Sequence, residues 1–299
     1  MHVFLTGATG YIGSAIAQAL QKSGHRVTGL VRSQEEEKKL KAPGIRPYKG
    51  DLLNVATIEQ AAREADGVIH AAATNDATMA QVDTSVVRAI LAALKGTNKP
   101  FIYTSGVWVM GNTGGQVADE SKPPDPIPLI AWRVPLEGEI AAAAKQGVRT
   151  IIIRPADVYG RGGGLLAMFV QSAREHGATR YVGTGENRWP LVYVDDLADL
   201  YVRALENAPA GTLLIGAHGP SHRVRDLAEA ASNGAGADGR TEAWPLEEAR
   251  KSLGPFADAL TLDQQVSGDK AKRLLGWSPK APSVLEDLKH GSYARERVA

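Results

Sequence analysis

Arg133 and Glu137 stand four residues apart in the segment AWRVPLEGE, residues 131–139. Side chains at that spacing share one face of a helix, so both can reach the same ligand. A guanidinium can orient a carboxylate or a phosphate, or polarise a carbonyl, but it does not release a proton near neutral pH. A carboxyl group acts as an acid or a base when burial raises its pKa. The pair predicts either substrate positioning or a surface ion pair worth roughly a few tenths of a kcal/mol.

Further candidate side chains follow two predicted strands, FIYTS (101–105) and RTIIIRP (149–155). Ligand-binding residues collect at the carboxyl ends of strands in open parallel sheets. There a serine can donate a hydrogen bond to a substrate oxygen, a tyrosine is either a proton donor or a structural residue, and Asp157 is either a base or a cap. We predict catalytic roles for four residues: Ser105, Arg133, Glu137 and Tyr159.

A glycine-rich segment, TGATGYIG (6–13), lies between the first predicted strand and the first predicted helix. Its glycines permit a tight turn, a close approach of backbone amides to a pyrophosphate, and close packing of helix on strand. The amides at the helix N-terminus add positive potential for phosphate. The pattern predicts a dinucleotide site that includes Gly7, Thr9, Gly10, Tyr11, Ile12 and Gly13.

The segment LVRS places Arg32 and Ser33 at the end of the second predicted strand. An acidic residue at this point would bind the ribose 2′-hydroxyl of NAD, whereas a basic residue can hold the 2′-phosphate of NADP. Arginine presents a planar fork to phosphate oxygens. We therefore expect NADP(H) to be preferred and NAD(H) to be the alternative; a solvated surface arginine is the other interpretation of Arg32.

Strands and helices alternate in the pattern that positions these residues. Strands are predicted at 2–5, 26–31, 45–50, 67–72, 101–105 and 149–155, and helices at 11–24, 34–41, 55–65, 77–96 and 132–146. This alternation predicts an α/β fold, a Rossmann-type doubly wound parallel sheet with right-handed crossovers. Beyond residue 160 the regularity breaks: 159–164 and 183–190 read as loops, the first a lid or a linker, before helices at 194–208 and near 283–296.

The domain prediction follows from that break. A dinucleotide-binding core spans 1–160 and is completed by about 190–232, and a smaller C-terminal substrate lobe comprises 161–189 and 233–299. Ligands usually bind in the cleft between two such lobes.

Composition excludes several classes of function. The 299 residues carry a formal charge of +1 and no cysteine, which excludes disulfides, thiolate catalysis and cysteine-held zinc or iron–sulfur sites. A formal charge so close to zero does not indicate nucleic-acid binding. We also find no metal-ligand pattern and no apolar run long enough to cross a bilayer. We expect a cytoplasmic monomer or homodimer that acts on a small-molecule substrate, without nucleic acid, membrane or metal.

Seven motifs, in order along nearly the whole chain, resemble those of the extended short-chain dehydrogenase/reductases, which include NAD-dependent epimerase/dehydratases and dihydroflavonol-type reductases. They are TGATGYIG, GDL (50–52), HAAA (70–73), YTSG (103–106), RPADVYG (154–160), PLVYVDDLA (190–198) and AKRLLGWSP (271–279). The resemblance implies further cofactor contacts: Asp51 and Leu52 at the adenine, Ala71, Ala72 and Ala73 along the ribose and pyrophosphate, Thr104 at the end of the fifth strand, and Pro155 and Tyr159 near the nicotinamide.

The chain departs from that family at the catalytic pair. Active members carry Tyr-x-x-x-Lys, but no tyrosine occurs between Tyr103 and Tyr159, and the only lysines there are Lys122 and Lys145. The pattern is similar to that of atypical short-chain dehydrogenase/reductases. It predicts an NADP(H)-dependent reductase of a small carbonyl-type substrate whose proton comes from Tyr159, Glu137 or water. The alternatives are a non-catalytic NADP(H)-binding sensor and, more weakly, a nucleotide-sugar epimerase/dehydratase, which would need the missing tyrosine.

Overall fold

The computed structural model describes residues 1–294. Strands and helices alternate through the first half, where short β-branched and aromatic runs are separated by amphipathic segments. The strands are β1 (His2–Thr6), β2 (Arg26–Val31), β3 (Arg46–Lys49), β4 (Gly67–His70), β5 (Pro100–Thr104) and β6 (Arg149–Pro155). The helices between them are α1 (Tyr11–Lys22), α2 (Gln34–Lys41), α3 (Val55–Glu64), α4 (Met79–Leu94) and α5 (Arg133–Ala143).

The second half has shorter strands and more helices. In chain order it contains β7 (Asp157–Tyr159), α6 (Leu165–His176), β8 (Thr179–Val182), β9 (Arg188–Trp189), β10 (Leu191–Tyr193), α7 (Val194–Asn207), β11 (Thr212–Gly216), β12 (His222–Arg223), α8 (Val224–Ala235), β13 (Thr241–Trp244), α9 (Leu246–Leu253), α10 (Phe256–Ala259), α11 (Asp269–Leu275) and α12 (Val284–His290). The helix predicted at 194–208 is confirmed. The helix predicted near 283–296 ends at His290, and positions 295 and 296 lie outside the described residues.

Seven strands form one parallel sheet in the order β11-β6-β5-β4-β1-β2-β3. The chain therefore builds outward from β1 in one direction, then returns to add β4 on the other side of β1. That reversal is a topological switch point, and the crevice outside the carboxyl ends of β1 and β4 is where such sheets bind ligands. The predicted α/β fold with a doubly wound parallel sheet is confirmed.

Helices cover both faces of the sheet because successive side chains of each strand point to opposite faces. In β1, Val3 and Leu5 pack in a cluster with α1 and α7, whereas Phe4 packs in the opposite cluster with α3, α4 and α5. All three side chains are fully buried, and each contributes roughly 1.5–3 kcal/mol through removal from water. The two clusters hold the carboxyl edge of the sheet in place.

A third apolar cluster lies in the second half of the chain. It is built from α6, α8 and α12 with strands β8 and β9, and the Phe169 ring stacks on Trp189 with centroids 5.5 Å apart. Helix α8 overlaps the segment 190–232 that we predicted as part of the core, but its buried face packs in this cluster. Over residues 1–294 no helix is long and apolar enough to cross a membrane.

Candidate dinucleotide and substrate site

The glycine loop packs tightly against the end of β4. Gly7 has φ +76°, and a Cβ there would lie 2.6 Å from the Ala71 carbonyl oxygen. A Cβ on Gly13 would clash with the Gly7 carbonyl, so only glycine lets α1 approach the loop. Gly10 differs from both, because it is exposed and a Cβ there would meet only the Gly7 oxygen at 3.3 Å. Gly7 and Gly13 shape the turn through close packing, and Gly10 faces open space where a ligand can approach.

The first turn of α1 has no side-chain cap. Its N-cap residue is Gly10, which accepts no hydrogen bond through a side chain, and the first-turn amides of Tyr11, Ile12 and Gly13 follow it. Uncapped amides at a helix N-terminus are the donors that phosphate oxygens accept from. Thr9 is half-buried in the turn, and Ile12 packs against the core. The predicted loop residues are therefore brought together in a geometry that fits a pyrophosphate.

Tyr11 connects the glycine loop to the segment 160–164. Its hydroxyl donates to the Gly160 carbonyl at 2.8 Å, and its ring packs beside Gly163 and Gly164. Tyr293 also holds this segment, since its hydroxyl accepts from the Gly160 amide at 2.8 Å and donates to the Gly163 carbonyl at 2.5 Å. These contacts anchor the segment beside the start of α1.

A capping box, which we did not predict from the sequence, follows the end of β2. Ser33 caps α2 by accepting from the Glu36 amide at 3.2 Å, and Glu36 Oε2 accepts from the Arg32 amide at 2.6 Å. The Arg32 side chain is 66% exposed, with its guanidinium 3.8 Å from Glu36. The Ser-x-x-Glu spacing was the signal for this arrangement. Arg32 is thus free to turn toward a phosphate, although a carboxylate stands beside it.

Other predicted cofactor residues line the same edge of the sheet. Asp51 Oδ1 accepts from the Leu53 amide at 2.8 Å, and Leu52 packs against the core beyond β3. The backbone of Ala71 and Ala72 borders Gly7, and Ala73 is exposed just beyond. The structure places Ala71 and Ala72 beside the glycine loop, whereas Asp51 and Leu52 follow β3, two strands further along the same edge of the sheet.

A buried polar network runs beneath this edge. Thr6 Oγ1 lies 2.6 Å from His70 Nδ1, His70 Nε2 lies 2.7 Å from Asp83 Oδ1, and the Tyr103 hydroxyl donates to Asp83 Oδ2 at 2.5 Å. Burial opposes ionisation of Asp83, but the hydrogen bonds from His70 and Tyr103 and the charge of Arg133 outweigh it and keep the pKa of Asp83 below its usual value. The sequence places His70 only within the predicted strand 67–72. An aspartate on the apolar face of α4 was the overlooked signal.

Arg133 completes this network. Its Nη1 donates to the Tyr103 hydroxyl at 2.8 Å and to the Thr104 carbonyl at 3.1 Å, and its guanidinium lies 4.6 Å from the Trp132 ring centroid. The Thr104 hydroxyl in turn accepts from the Tyr201 hydroxyl at 2.8 Å. Burial is the main cause that raises the pKa of Tyr103, so its hydroxyl is neutral and takes part in two hydrogen bonds. Arg133 therefore lies at the end of β5, half-buried, as a positioning group.

Glu137 does not join Arg133. Its carboxylate forms a buried, two-point ion pair with Arg154 of β6, with Oε1 accepting from Nε at 3.1 Å and Oε2 from Nη2. The surface ion pair between Arg133 and Glu137, one of our two interpretations, is wrong. The acid–base role predicted for Glu137 is also not supported, because both of its oxygens are engaged inside the protein.

Tyr159 has a structural environment. Its hydroxyl donates to the Pro282 carbonyl at 2.9 Å, and its ring packs edge-to-face on Tyr193 with centroids 5.3 Å apart. Burial is the first cause of a raised pKa for this phenol. This contradicts the proton-donor role that we predicted for Tyr159, since the hydroxyl proton is already donated to the backbone. Pro155, two residues before β7, ends β6 beside Gly216.

Buried polar atoms without partners collect at the carboxyl edge. In residues 1–294 five buried side-chain atoms lack a hydrogen-bond partner, and four of them follow or end β4, β5 or β6: Thr74 Oγ1, Ser105 Oγ, Arg154 Nη1 and Asp157 Oδ2. Such atoms are normally paired, and an unpaired one needs an explanation. Among the four predicted catalytic residues, Ser105 is the one with a buried side-chain atom that lacks a partner.

The second lobe contains an apolar pocket of about 550 Å³. Its walls come from α6, β8, β9 and β13, with Phe169, Trp189 and Trp244 as aromatic surfaces. Arg180 stands at the margin, where it is paired with Glu242 through Nε at 3.0 Å. The pocket has the size and lining of a small-molecule site. In the described part of the chain no group of three or more His, Asp or Glu residues is arranged to hold a metal ion.

Comparison with known protein families gives a match over most of the chain. The family model for the NAD dependent epimerase/dehydratase family matches residues 3–216. The chain belongs to this family. The family membership confirms the resemblance that the motifs indicated, and it places the protein among NAD(P)-binding oxidoreductases and epimerases that act on small molecules.

The chain is similar to relatives of more than one activity. It is 35% identical to Schizosaccharomyces pombe protein C2A9.02 over 98% of this chain and 100% of that protein. It is 25% identical to the 4-hydroxy-2-methyl-3-oxo-4-farnesyl-3,4-dihydroquinoline-1-oxide ketoreductase of Stigmatella aurantiaca, over 93% of this chain and 92% of that protein. The Thermus thermophilus UDP-glucose 4-epimerase, solved with NAD, superposes with a TM-score of 0.80 at 22% identity, covering 98% and 99% of the two chains, and supports the fold alone.

Proposed function

We propose that the protein is an NADP(H)-dependent oxidoreductase that reduces a carbonyl group on a small, largely apolar substrate. The observation that carries the proposal is the pairing of two features at one edge of the sheet. The glycine loop offers uncapped amides for a pyrophosphate, and the unpartnered atoms of Ser105 and Asp157 stand further along that edge. When bound, the nicotinamide ring would supply or accept hydride.

The residues of the chain divide the remaining tasks. Gly10 and the amides of α1 would hold the pyrophosphate, and Arg32 would hold the 2′-phosphate. Ser105 Oγ, which lacks a partner, would donate a hydrogen bond to the substrate oxygen. Arg133 would hold the end of β5 rigid through its bonds to Tyr103 and Thr104. A preformed donor of this kind favours the transition state because it needs no reorganisation.

The pocket favours an apolar substrate over a nucleotide sugar. A sugar nucleotide carries a diphosphate, which needs cationic partners, but Arg180 at the pocket margin is paired with Glu242. Aliphatic and aromatic side chains, among them Phe169, Trp189 and Trp244, make up most of the wall. The name of the Stigmatella aurantiaca relative describes a ketone with a farnesyl group, which supports an apolar substrate for this chain as well.

Calorimetric titration with NADPH and NADH, followed by a panel of aromatic and alkyl ketones assayed for NADPH oxidation, tests the proposal. We expect NADPH to bind more tightly than NADH. Arg32→Ala should weaken NADPH binding by about 10–100-fold and leave NADH nearly unchanged, because only the 2′-phosphate contact is lost.

Gly10→Val is the matched control for the site itself, since a branched Cβ would fill the open space beside the α1 amides and should abolish binding of both dinucleotides. Normal binding by a folded Gly10→Val protein would contradict the assigned site. Tight NADPH binding without turnover of any ketone would favour the sensor instead.

A further inference from the structure

Asp157 is a buried carboxyl group at the carboxyl edge of the sheet. It begins β7, two residues after the end of β6, and its side chain is only 8% exposed. Oδ2 is buried without a hydrogen-bond partner. A buried carboxyl oxygen without a partner is costly in a folded protein, which indicates a role beyond stability.

The segment of Asp157 is in contact with the segment that follows Ser105 and with a strand that lines the apolar pocket. On one side, the Ser105 amide donates to the Ile153 carbonyl at 2.8 Å, and Trp108, three residues further along, lies against the Asp157 carboxyl. On the other side, the Asp157 amide donates to the Pro190 carbonyl at 3.0 Å, and the preceding residue, Trp189, is a wall of the pocket. Asp157 is therefore connected by short chain segments both to the end of β5 and to the pocket wall.

The other candidate acids at this edge are all engaged. Glu137 is paired with Arg154, the Tyr159 hydroxyl donates to Pro282, and the Tyr103 hydroxyl donates to Asp83. Asp83 itself accepts from both His70 and Tyr103. Among the buried carboxyl groups of residues 1–294, Asp157 is the one that retains an oxygen without a hydrogen-bond partner.

We propose that Asp157 is the acid that protonates the substrate oxygen, in place of the tyrosine that this chain lacks. The inference rests on the proposed function. In the reduction, a bound reduced nicotinamide would supply the hydride to the carbonyl carbon and would become NADP⁺. The Oδ2–H bond of Asp157 breaks, its proton joins the carbonyl oxygen to complete the alcohol, and the carboxylate regains a proton from solvent. Ser105 Oγ donates a hydrogen bond to the same oxygen throughout.

The environment of Asp157 suits that task. Burial raises the pKa of Asp157 to about 7, and a side-chain hydrogen bond from Trp108 is the smaller cause, which opposes the shift. No charged side chain in the described residues contributes, and its register partner in β10 is the apolar Leu191. The carboxyl is therefore protonated at pH 6 and largely ionised at pH 8. Reduction should be fastest below pH 7 and should decline above it, whereas alcohol oxidation should rise with pH.

The test compares wild type with Asp157→Asn, which keeps the shape but cannot exchange a proton. With any ketone accepted in the panel, kcat/KM should fall at least ~100-fold, the decline near pH 7 should vanish, and NADPH binding by calorimetry should stay within about twofold. Asp238→Asn, at an exposed residue of the second lobe with φ +54°, is the matched control and should change none of these quantities.

A second measurement needs no variant and no turnover. In ¹³C-aspartate-labelled wild type, one carboxyl carbon should titrate near pH 7, and NADP⁺ should shift that titration. Absence of such a carboxyl would overturn the role, and so would a folded Asp157→Asn protein with an unchanged pH profile. Failure of wild type to bind either dinucleotide would overturn the proposed function itself, whereas normal binding and turnover in Asp157→Asn would overturn only the role of Asp157.

Discussion

Two sets of buried polar side chains lie near the carboxyl edge of the sheet, and they are bonded in opposite ways. In the first, the bonded set, the Glu137 carboxylate and the Asp83 carboxylate have partners on both oxygens. In the second, the unpartnered set, Ser105 Oγ and Asp157 Oδ2 have none. Fold stability requires buried polar groups to be paired, and ligand binding requires some to remain free.

This difference separates the residues that stabilise the fold from the residues that we propose to contact a ligand. The bonded set holds β4, β5, β6, α4 and α5 together, so it fixes the position of the edge. The unpartnered set is held in place by that rigid support. Substitution of a bonded member should therefore lower the free energy of unfolding, whereas substitution of an unpartnered member should leave it nearly unchanged or raise it, which makes the comparison testable.

The largest effect should come from the bonded set. Glu137→Gln removes the negative charge and leaves Arg154 charged and buried, which should lower the free energy of unfolding by about 3–5 kcal/mol in urea denaturation. Glu139→Gln, two residues along the same helix, is the control, because its ion pair with Arg88 is exposed and should contribute far less. Equal losses in the two variants would show that the buried pair has no special role.

For Asp157, in the unpartnered set, substitution should raise the free energy of unfolding instead of lowering it. The pKa of Asp157 is raised to about 7, so the folded protein binds this proton more tightly than the unfolded chain. That stabilisation is complete below the unfolded pKa of ~3.9 and is lost as the pH rises through 7.

Asp157→Asn, which cannot ionise, should therefore match wild type most closely near pH 4 and exceed it at pH 8 by roughly 2–4 kcal/mol. Thermal and urea unfolding across that pH range measure the difference. A gap that stays constant with pH would contradict the raised pKa.

The smallest effect should come from Ser105→Ala. Its hydroxyl has no partner to lose, so the free energy of unfolding should change by less than ~0.5 kcal/mol, while kcat/KM falls. Thr6→Val is the matched control from the bonded set, because it leaves His70 Nδ1 unpaired and should cost ~1–3 kcal/mol. A large loss of stability in Ser105→Ala would place that serine in the bonded set.

Much of this arrangement could be predicted because it depends on local pattern. Alternating strands and helices predict a parallel sheet, and the spacing of Gly7, Gly10 and Gly13 predicts the turn at its switch point. Each glycine has a local reason that the structure bears out, such as the positive φ of Gly7. The capping box at Ser33 and Glu36 was equally local, and attention to the Ser-x-x-Glu spacing would have found it.

The partners of the charged residues depended on distant contacts. Arg133 and Glu137 share a helix at the expected spacing, yet Arg133 binds Tyr103 and Glu137 binds Arg154, on neighbouring strands. Helical spacing shows which side chains share a face, but it does not show what packs against that face. Tyr159 was misjudged for the same reason, because its partner, Pro282, lies 123 residues away.

The sequence by itself determined the fold, the glycine loop and the absence of a Tyr-x-x-x-Lys pair, since these follow from the order and types of neighbouring residues. Only the tertiary structure decided which polar atoms are paired and which are free. Whether Asp157 can act as an acid depends on its burial and on the lack of a partner for Oδ2, and both are set by segments far apart in the chain. Burial and pairing are properties of the packed molecule, because water satisfies every polar group equally well in the unfolded chain.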